Sequence, residues 1–235
     1  MEHRLWLEML PQPDLATCGP TCLHAVYRFH GDEIDLPTLI DEVPNVPTGG
    51  TLAVFLAIHA LRRGYRAKIY TYNLQLFDPT WFRIPKADLR ECLQRQLQVK
   101  QGMHLEVASH AYLEYLTLGG EVLYEELSPR LLLRHLASEH PILTGLSATY
   151  LYDSARERDD HDDDIGGSPM GHFVVIHGYD AATNLVRLAD PLGDNPPYRR
   201  RYYEVDIQRV LGSVLLGILT YDANLLVIEP PRKEG

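Results

Sequence analysis

The chain is short of cysteine, of positive charge and of long apolar runs, and each shortage closes off a class of protein. Three cysteines in 235 residues, without framework spacing, argue against a disulfide scaffold and for a reducing compartment. Lysine and arginine total 22 against 32 aspartates and glutamates, a net charge of −10. That balance disfavours nucleic acid and anionic membrane surfaces, which are bound through positive charge. No apolar run approaches the ~20 residues that span a bilayer, and the charged stretch Met1 to Leu10 does not read as a secretory signal. There is no phosphate-binding glycine loop and no internal repeat. What remains, with 45% hydrophobic and 23% charged residues, is an ordinary globular composition.

Chemistry concentrates in the stretch Gln12-Pro-Asp-Leu-Ala-Thr-Cys18-Gly-Pro-Thr-Cys22-Leu23. Proline is favoured at the first helical position, because its missing N–H would be unsatisfied there anyway. Leu23, Val26 and Tyr27 follow at helical spacing. Cys18 is therefore expected at the N-terminus of a helix, where partial positive charge and free N–H groups favour a thiolate. Cys22 lies one turn inside the same helix and reads as a small packed hydrophobe, as does Cys92 in a leucine-rich pattern.

A reactive thiolate needs a base within hydrogen-bond reach, and the base needs an orienting partner. Among eleven histidines, His172 opens the β-branched run Gly171-His-Phe-Val-Val-Ile-His177. Alternation sets His172, Val174 and Ile176 on one face, and Phe173, Val175 and His177 on the other. Turn formers from Gly178 to Asn184 lead into a second strand, Leu185 to Asp190, stopped by Pro191. An antiparallel hairpin with His177 opposite Leu185 sets His172 opposite Asp190, with Cβ atoms about 4.5–5.5 Å apart. Asp190 is then the orienter of His172, and His177, on the other face, is structural. Gln12, six residues before Cys18, is positioned to supply an amide N–H to an oxyanion beside the backbone N–H of Cys18.

These residues resemble a known family. Gln12, Cys18-Gly-Pro-Thr-Cys22-Leu23, Gly171-His172-Phe-Val-Val175 and Asp190-Pro191 are similar to the papain-like peptidases that cut double-glycine leader peptides, and closest to their stand-alone bacterial branch. The family pattern is a glutamine six residues before the cysteine, Cys-Gly-x-x-Cys-Leu, then Gly-His-Phe-Val-Val and Asp-Pro. The resemblance covers roughly residues 8–72 and 140–192. It implies that Cys18, His172, Asp190 and Gln12 hold the catalytic positions, that the substrate is a peptide, and that no cofactor or metal is required. Thr17 departs from the aspartate usual before the cysteine, and the segment between the two halves is longer than in the transporter-linked members.

The expected fold is α+β and papain-like, with an N-terminal helix carrying the cysteine packed on an antiparallel sheet carrying histidine and aspartate. A single domain over 1–235 is expected, with a helical insertion at about 74–140 flanking the cleft. Its helices read as 85–100, 103–118 and 128–136, the last opened by Ser128-Pro129. Thr51 is expected to cap a largely buried helix ending at Gly64, with His59 a satisfied core histidine. Trp81 and Phe82 read as core cover. The acidic run Arg156 to Ser168 reads as a mobile loop beside His172, a lid or a site for a hard cation being the functional alternatives to a solvated segment. Strands are expected at 141–150, 202–205, 214–220 and 224–228, and a frayed tail at 230–235. The expected activity is a bacterial cytoplasmic cysteine peptidase. An acyltransferase or transpeptidase on the same site, and a non-catalytic peptide-binding module, are the alternatives.

Overall fold

The computed structural model describes residues 2–46 and 49–231. The frayed tail expected at 230–235 lies, from residue 232 on, outside the described residues. Helix α1 (Cys18–Phe29) is followed by α2 (Leu36–Glu42) and α3 (Ala53–Arg62), then α4 (Leu89–Val99), α5 (Met103–Thr117), α6 (Pro129–Leu136), α7 (Ala148–Tyr152) and α8 (Ile207–Leu216). Strands are β1 (Glu2–Arg4), β2 (Arg66–Thr71), β3 (Glu121–Leu123), β4 (Ile142–Ser147), β5 (Glu157–Arg158), β6 (His161–Asp162), β7 (Gly171–Asp180), β8 (Leu185–Ala189), β9 (Tyr202–Asp206) and β10 (Asn224–Glu229). Among the described residues no helix is long and apolar enough to cross a membrane.

The main sheet has eight strands in the order β3-β2-β10-β4-β7-β8-β9, with β1 added to the far end of β7. Every pairing is antiparallel except β2 with β3. Its central strands read as continuous apolar runs because both faces are covered. Phe173, Val175, Leu143, Leu226 and Ile228 share one core with α1, α3, α4 and α5. Val174, Ile176, Leu188, Leu225 and Val227 share the other with α6, α7 and α8. The strand alternation read from the sequence thus assigns residues to two helical layers rather than to core and solvent.

The segment read as an insertion is built into the first of these cores. Leu89, Leu93, Leu105, Tyr112 and Tyr115 cluster there with Leu56 and Ala60 of α3 and with Cys18 and Cys22. Trp81 and Phe82, on a 3₁₀ turn (Pro79–Phe82), pack over the same cluster as core cover. Tyr115 docks β3 onto β2: its hydroxyl lies 2.7 Å from the Ala67 carbonyl and accepts the Glu121 N–H at 3.1 Å. Gly120 is required beside it, since a Cβ there would stand 2.3 Å from the Tyr115 ring.

Four local expectations are corrected. Thr51 does not cap α3: its hydroxyl donates to the Pro44 carbonyl, and the Ala53 N–H is accepted by Asp222, 169 residues away. Residues 148–150 leave β4 for α7, whose N-cap Ser147 accepts the Tyr150 N–H. Residues 214–220 are not a strand, because Asp206 caps a helix that runs on through Leu216 into a 3₁₀ turn. Cys92, expected in the core, is only partly buried. His59 is satisfied as expected, between the Tyr27 hydroxyl at 2.8 Å and Glu42 at 2.9 Å.

Leu93 is fully buried in α4. Leu93→Ala is expected to cost about 2–5 kcal/mol, read as a lower urea midpoint. A wild-type midpoint would mean that α4 contributes no core to the fold.

Candidate active site

Cys18 is the first residue of α1, after Thr17 at N-cap, and the helix is capped at His30 and followed by Gly31 with φ 77°. Pro20 sits third rather than first, still among the N–H groups that have no intrahelical acceptor. Two glycines of the motifs are explained by close approach. A Cβ on Gly19 would stand 2.4 Å from Thr51 Cγ2, and one on Gly171 would stand 2.6 Å from Thr220 Oγ1. Cys22 is fully buried and its Sγ donates to the Phe173 carbonyl at 3.3 Å, which fixes α1 on β7. Burial pushes its thiol pKa up, and the neighbouring Cys18 and Asp190 charges add to this. Cys22 is therefore the inert cysteine of the pair.

His172 and Asp190 meet: Nε2 lies 2.9 Å from Asp190 Oδ1. Nδ1, the other ring nitrogen, is not taken by Asp190, and Cys18 is among the groups that raise the His172 pKa. The pairing by which they meet differs from the expected one. The assumed register set Ile176 opposite Val186, whereas Ile176 stands opposite Leu188, and β7 runs on to Asp180. Continuing that register brings Asp190 level with Val174, so His172 reaches it diagonally, a separation that a long side chain spans.

Asp190 is fully buried and takes five donors. Oδ1 accepts from His172 and, at 2.8 Å, from the Leu192 N–H. Oδ2 accepts from Tyr203 at 2.6 Å, Tyr152 at 2.7 Å and the Asn195 amide at 3.3 Å. Burial alone would raise the Asp190 pKa, but the His172 charge and hydrogen bond, with both tyrosine hydroxyls, bring it below the ordinary carboxylate value. For His172, burial works against the charged form; the Asp190 charge and hydrogen bond, then Cys18, overcome it and raise the ring to about 10. The arrangement favours the charged imidazolium beside the Asp190 carboxylate.

Gln12 is tied to the same corner by its backbone, its N–H donating to the Pro191 carbonyl at 3.1 Å. Its side-chain amide donates one N–H to the Asp14 carbonyl at 2.9 Å, and its buried Oε1 has no protein partner. His177 lies on the other face, as expected, with Nδ1 2.9 Å from the Leu5 carbonyl. The acidic run is not an irregular loop. It folds as the hairpin β5–β6 around Asp159 and Asp160, with φ 52° and 61°, the backbone of a two-residue type I′ turn. Arg158 bonds the Gly166 carbonyl at 2.6 Å and approaches Asp163 at 3.4 Å, so part of the negative charge is matched internally. Among the described residues no three or more His, Cys, Asp or Glu side chains gather as a metal site.

Tyr152, Tyr203 and Asn195 were not found from the sequence. Tyr203 had a signal: alternation over 202–206 turns it inward with Val205. Tyr152 and Asn195 had none, since a short helix and an irregular loop carry no period.

A helix presenting a cysteine against a mostly antiparallel sheet that carries a histidine and an aspartate is the papain-like cysteine-peptidase fold. The chain belongs to the Peptidase_C39-like family, whose model matches residues 5–210. Among solved structures, a C39-like protein from Bacillus anthracis is 13% identical with a TM-score of 0.54, covering 99% of this chain and 100% of that one. Xylellain, a cysteine protease from Xylella fastidiosa, is 15% identical with a TM-score of 0.47, covering 98% and 86%. A double-glycine-motif protease from an AMS/PCAT transporter, solved with its leader peptide, is 13% identical with a TM-score of 0.46, covering 97% and 94%. A comparison with curated proteins finds no match.

The His172–Asp190 pair makes stability depend on pH. His172 is raised from 6.5 to about 10, so its contribution is complete below about pH 6.5 and is lost as pH rises through about 10. Asp190 is lowered, so its contribution is present above its ordinary value of 3.8 and lost only in more acid solution. Replacing His172 by glutamine is therefore expected to cost about 3 kcal/mol near pH 6, the lower end of the cost of breaking a buried pair. Above about pH 10 the two proteins should converge. Urea unfolding at both pH values checks this; a pH-independent difference would contradict the pairing.

Proposed function

We propose that the chain is a cysteine peptidase in which Cys18 is the nucleophile, His172 the base and acid, Asp190 the orienter and Gln12 an oxyanion donor. The observation that carries this reading is His172, held through Nε2 by a buried carboxylate and raised in pKa in part by a cysteine at a helix N-terminus. The Cys18 thiolate attacks the substrate carbonyl carbon, and the carbonyl oxygen becomes an oxyanion facing the Cys18 N–H and the uncommitted N–H of the Gln12 amide. His172 gives its proton to the leaving amine as the C–N bond breaks, leaving a thioester on Cys18. Water attacks that thioester, His172 takes the water's proton, and the acid departs as the thiolate re-forms.

The proposed substrate is a peptide with small residues at the bond cut, a double glycine being the motif implied by the family resemblance. The limited access to both residues supports this: Cys18 is 6% and His172 7% exposed. We further propose that residues 1–235 act as one domain, with 74–140 as an integral wall. The shared core of α3, α4 and α5 supports this.

Cys18→Ala is expected to abolish cleavage of a peptide carrying Gly-Gly at the scissile bond while the protein stays folded. Gln12→Ala should lower kcat about 10²–10³-fold, the loss typical of one oxyanion donor. Iodoacetamide alkylation of Cys18 should follow a pH profile that His172→Ala abolishes. Retained turnover in Cys18→Ala, or an alkylation profile indifferent to His172, would overturn the mechanism. The mass of the released acyl product separates hydrolysis from transfer to an amine or thiol.

A further inference from the structure

We propose that Tyr152 and Tyr203 are positioning residues of this site: their hydroxyls clamp Asp190 Oδ2, keeping the carboxylate ionised and turned so that Oδ1 faces His172. The inference rests on the Cys18–His172–Asp190 reading given above.

Asp190 is fully buried, so the protein must supply what water would. The two carboxylate oxygens divide their work. Oδ1 receives His172 and the Leu192 N–H of its own turn, and Oδ2 receives both tyrosines. At 2.6 and 2.7 Å these are short, charge-assisted bonds, whereas Asn195 stands at 3.3 Å and also bonds the Arg200 carbonyl at 3.0 Å. The tyrosines arrive from different elements, Tyr152 from the end of α7 and Tyr203 from β9. A carboxylate gripped at one oxygen from two directions cannot turn about its Cβ–Cγ bond without breaking one grip.

Each ring is itself held. Tyr203 stacks on Tyr198 with centroids 4.0 Å apart and planes at 7°, and the Tyr152 ring lies 6.1 Å from that of His172. Burial and the Asp190 charge push both phenols well above their ordinary pKa, so both remain O–H donors wherever the protein is folded. Buried tyrosines that serve packing alone find any available partner for the hydroxyl. Here two converge on one oxygen of the group that orients the base.

Loss of either hydroxyl removes support from the ionised carboxylate, so Asp190 protonates at higher pH and His172 loses its counter-charge there. The test uses Tyr152→Phe, Tyr203→Phe and the double variant. Tyr115→Phe, which deletes an equally buried hydroxyl remote from Asp190, is the control. Three readings are taken: Cys18 alkylation by iodoacetamide against pH, cleavage of a Gly-Gly aminomethylcoumarin peptide, and titration of the Asp190 carboxyl carbon by NMR. Each single variant should lower kcat about tenfold with KM unchanged, as when a partner that orients a ligand or base is deleted. The acid limbs of turnover and of alkylation should move to higher pH, and the Asp190 titration should move with them. Tyr115→Phe should move none of these.

Wild-type acid limbs and a wild-type Asp190 titration in the double variant overturn the proposal, as does a loss that merely tracks the folded fraction. Failure of the underlying triad reading looks different: wild-type alkylation is then indifferent to His172→Ala. In that event the Asp190 titration alone decides the clamp, an upward shift in the double variant supporting it and no shift ending it.

Discussion

The structure turns on a buried negative charge. A carboxylate without access to water is costly to place in a protein interior, and Asp190 is kept there by five donors from four separate parts of the chain. Meeting that demand arranges much of the surrounding fold. The turn at 190–192 supplies a backbone N–H, β9 must run beside β8 to deliver Tyr203, and β4 must give way to α7 to deliver Tyr152. The proline- and arginine-rich stretch after Asp190 folds back as a cover: the Asp190 N–H bonds the Arg201 carbonyl at 2.8 Å, and Asn195 bonds the Arg200 carbonyl at 3.0 Å. Under the reading proposed here, the same charge that is expensive to bury is what makes His172 strongly basic.

The cysteine side depends on shape more than charge. Gly19 admits Thr51 to a distance no side chain would allow, and Thr51 leads into α3. The N-terminus of α3 is in turn held by Asp222, just before β10, whose carboxyl is pushed up to about 7 by burial although the Ala53 N–H works the other way. Gly145 on β4 is needed because a Cβ there would stand 2.6 Å from Asp222 Cβ. The first turn of α1 is therefore set by segments far apart in the chain, which meet only when the sheet is complete.

This division explains what could be read in the sequence. Cys18, His172 and Asp190 were legible because each sits at a boundary with a local mark: a glycine-proline helix start, a β-branched run, a proline stop. The capped helix α6 was legible for the same reason, through Ser128. Asp222 on α3, and Tyr152 and Asn195 on Asp190, left no local mark because their partners are tertiary. The acidic run is largely exposed, as like charges suggest, but it folds as a hairpin because Arg156 and Arg158 lie within the run itself and bond its backbone.

The hairpin that joins His172 to Asp190 shows why a wrong register still gave the right pair. Near the turn, Asp180 stands opposite Leu185 and Gly178 opposite Arg187. Carried straight on, that register would set Val175 level with Asp190 and turn His172 to the opposite face, since one residue of slip exchanges faces. A bulge between Ile176 and Gly178 absorbs one residue, so Ile176 stands opposite Leu188 and the face of His172 is restored. The assumed register lay two residues from the observed one, which preserves the face. His177 is the residue at the bulge, and Leu5 grips it from both sides of the peptide: its N–H bonds the His177 carbonyl at 2.8 Å and its carbonyl lies 2.9 Å from Nδ1. Gly178 permits the approach, because a Cβ there would stand 2.8 Å from the His3 carbonyl oxygen. The second histidine of the strand thus serves the first. It anchors the irregularity that turns His172 toward Asp190, and it does so through the chain segment that leads to Gln12 and Cys18.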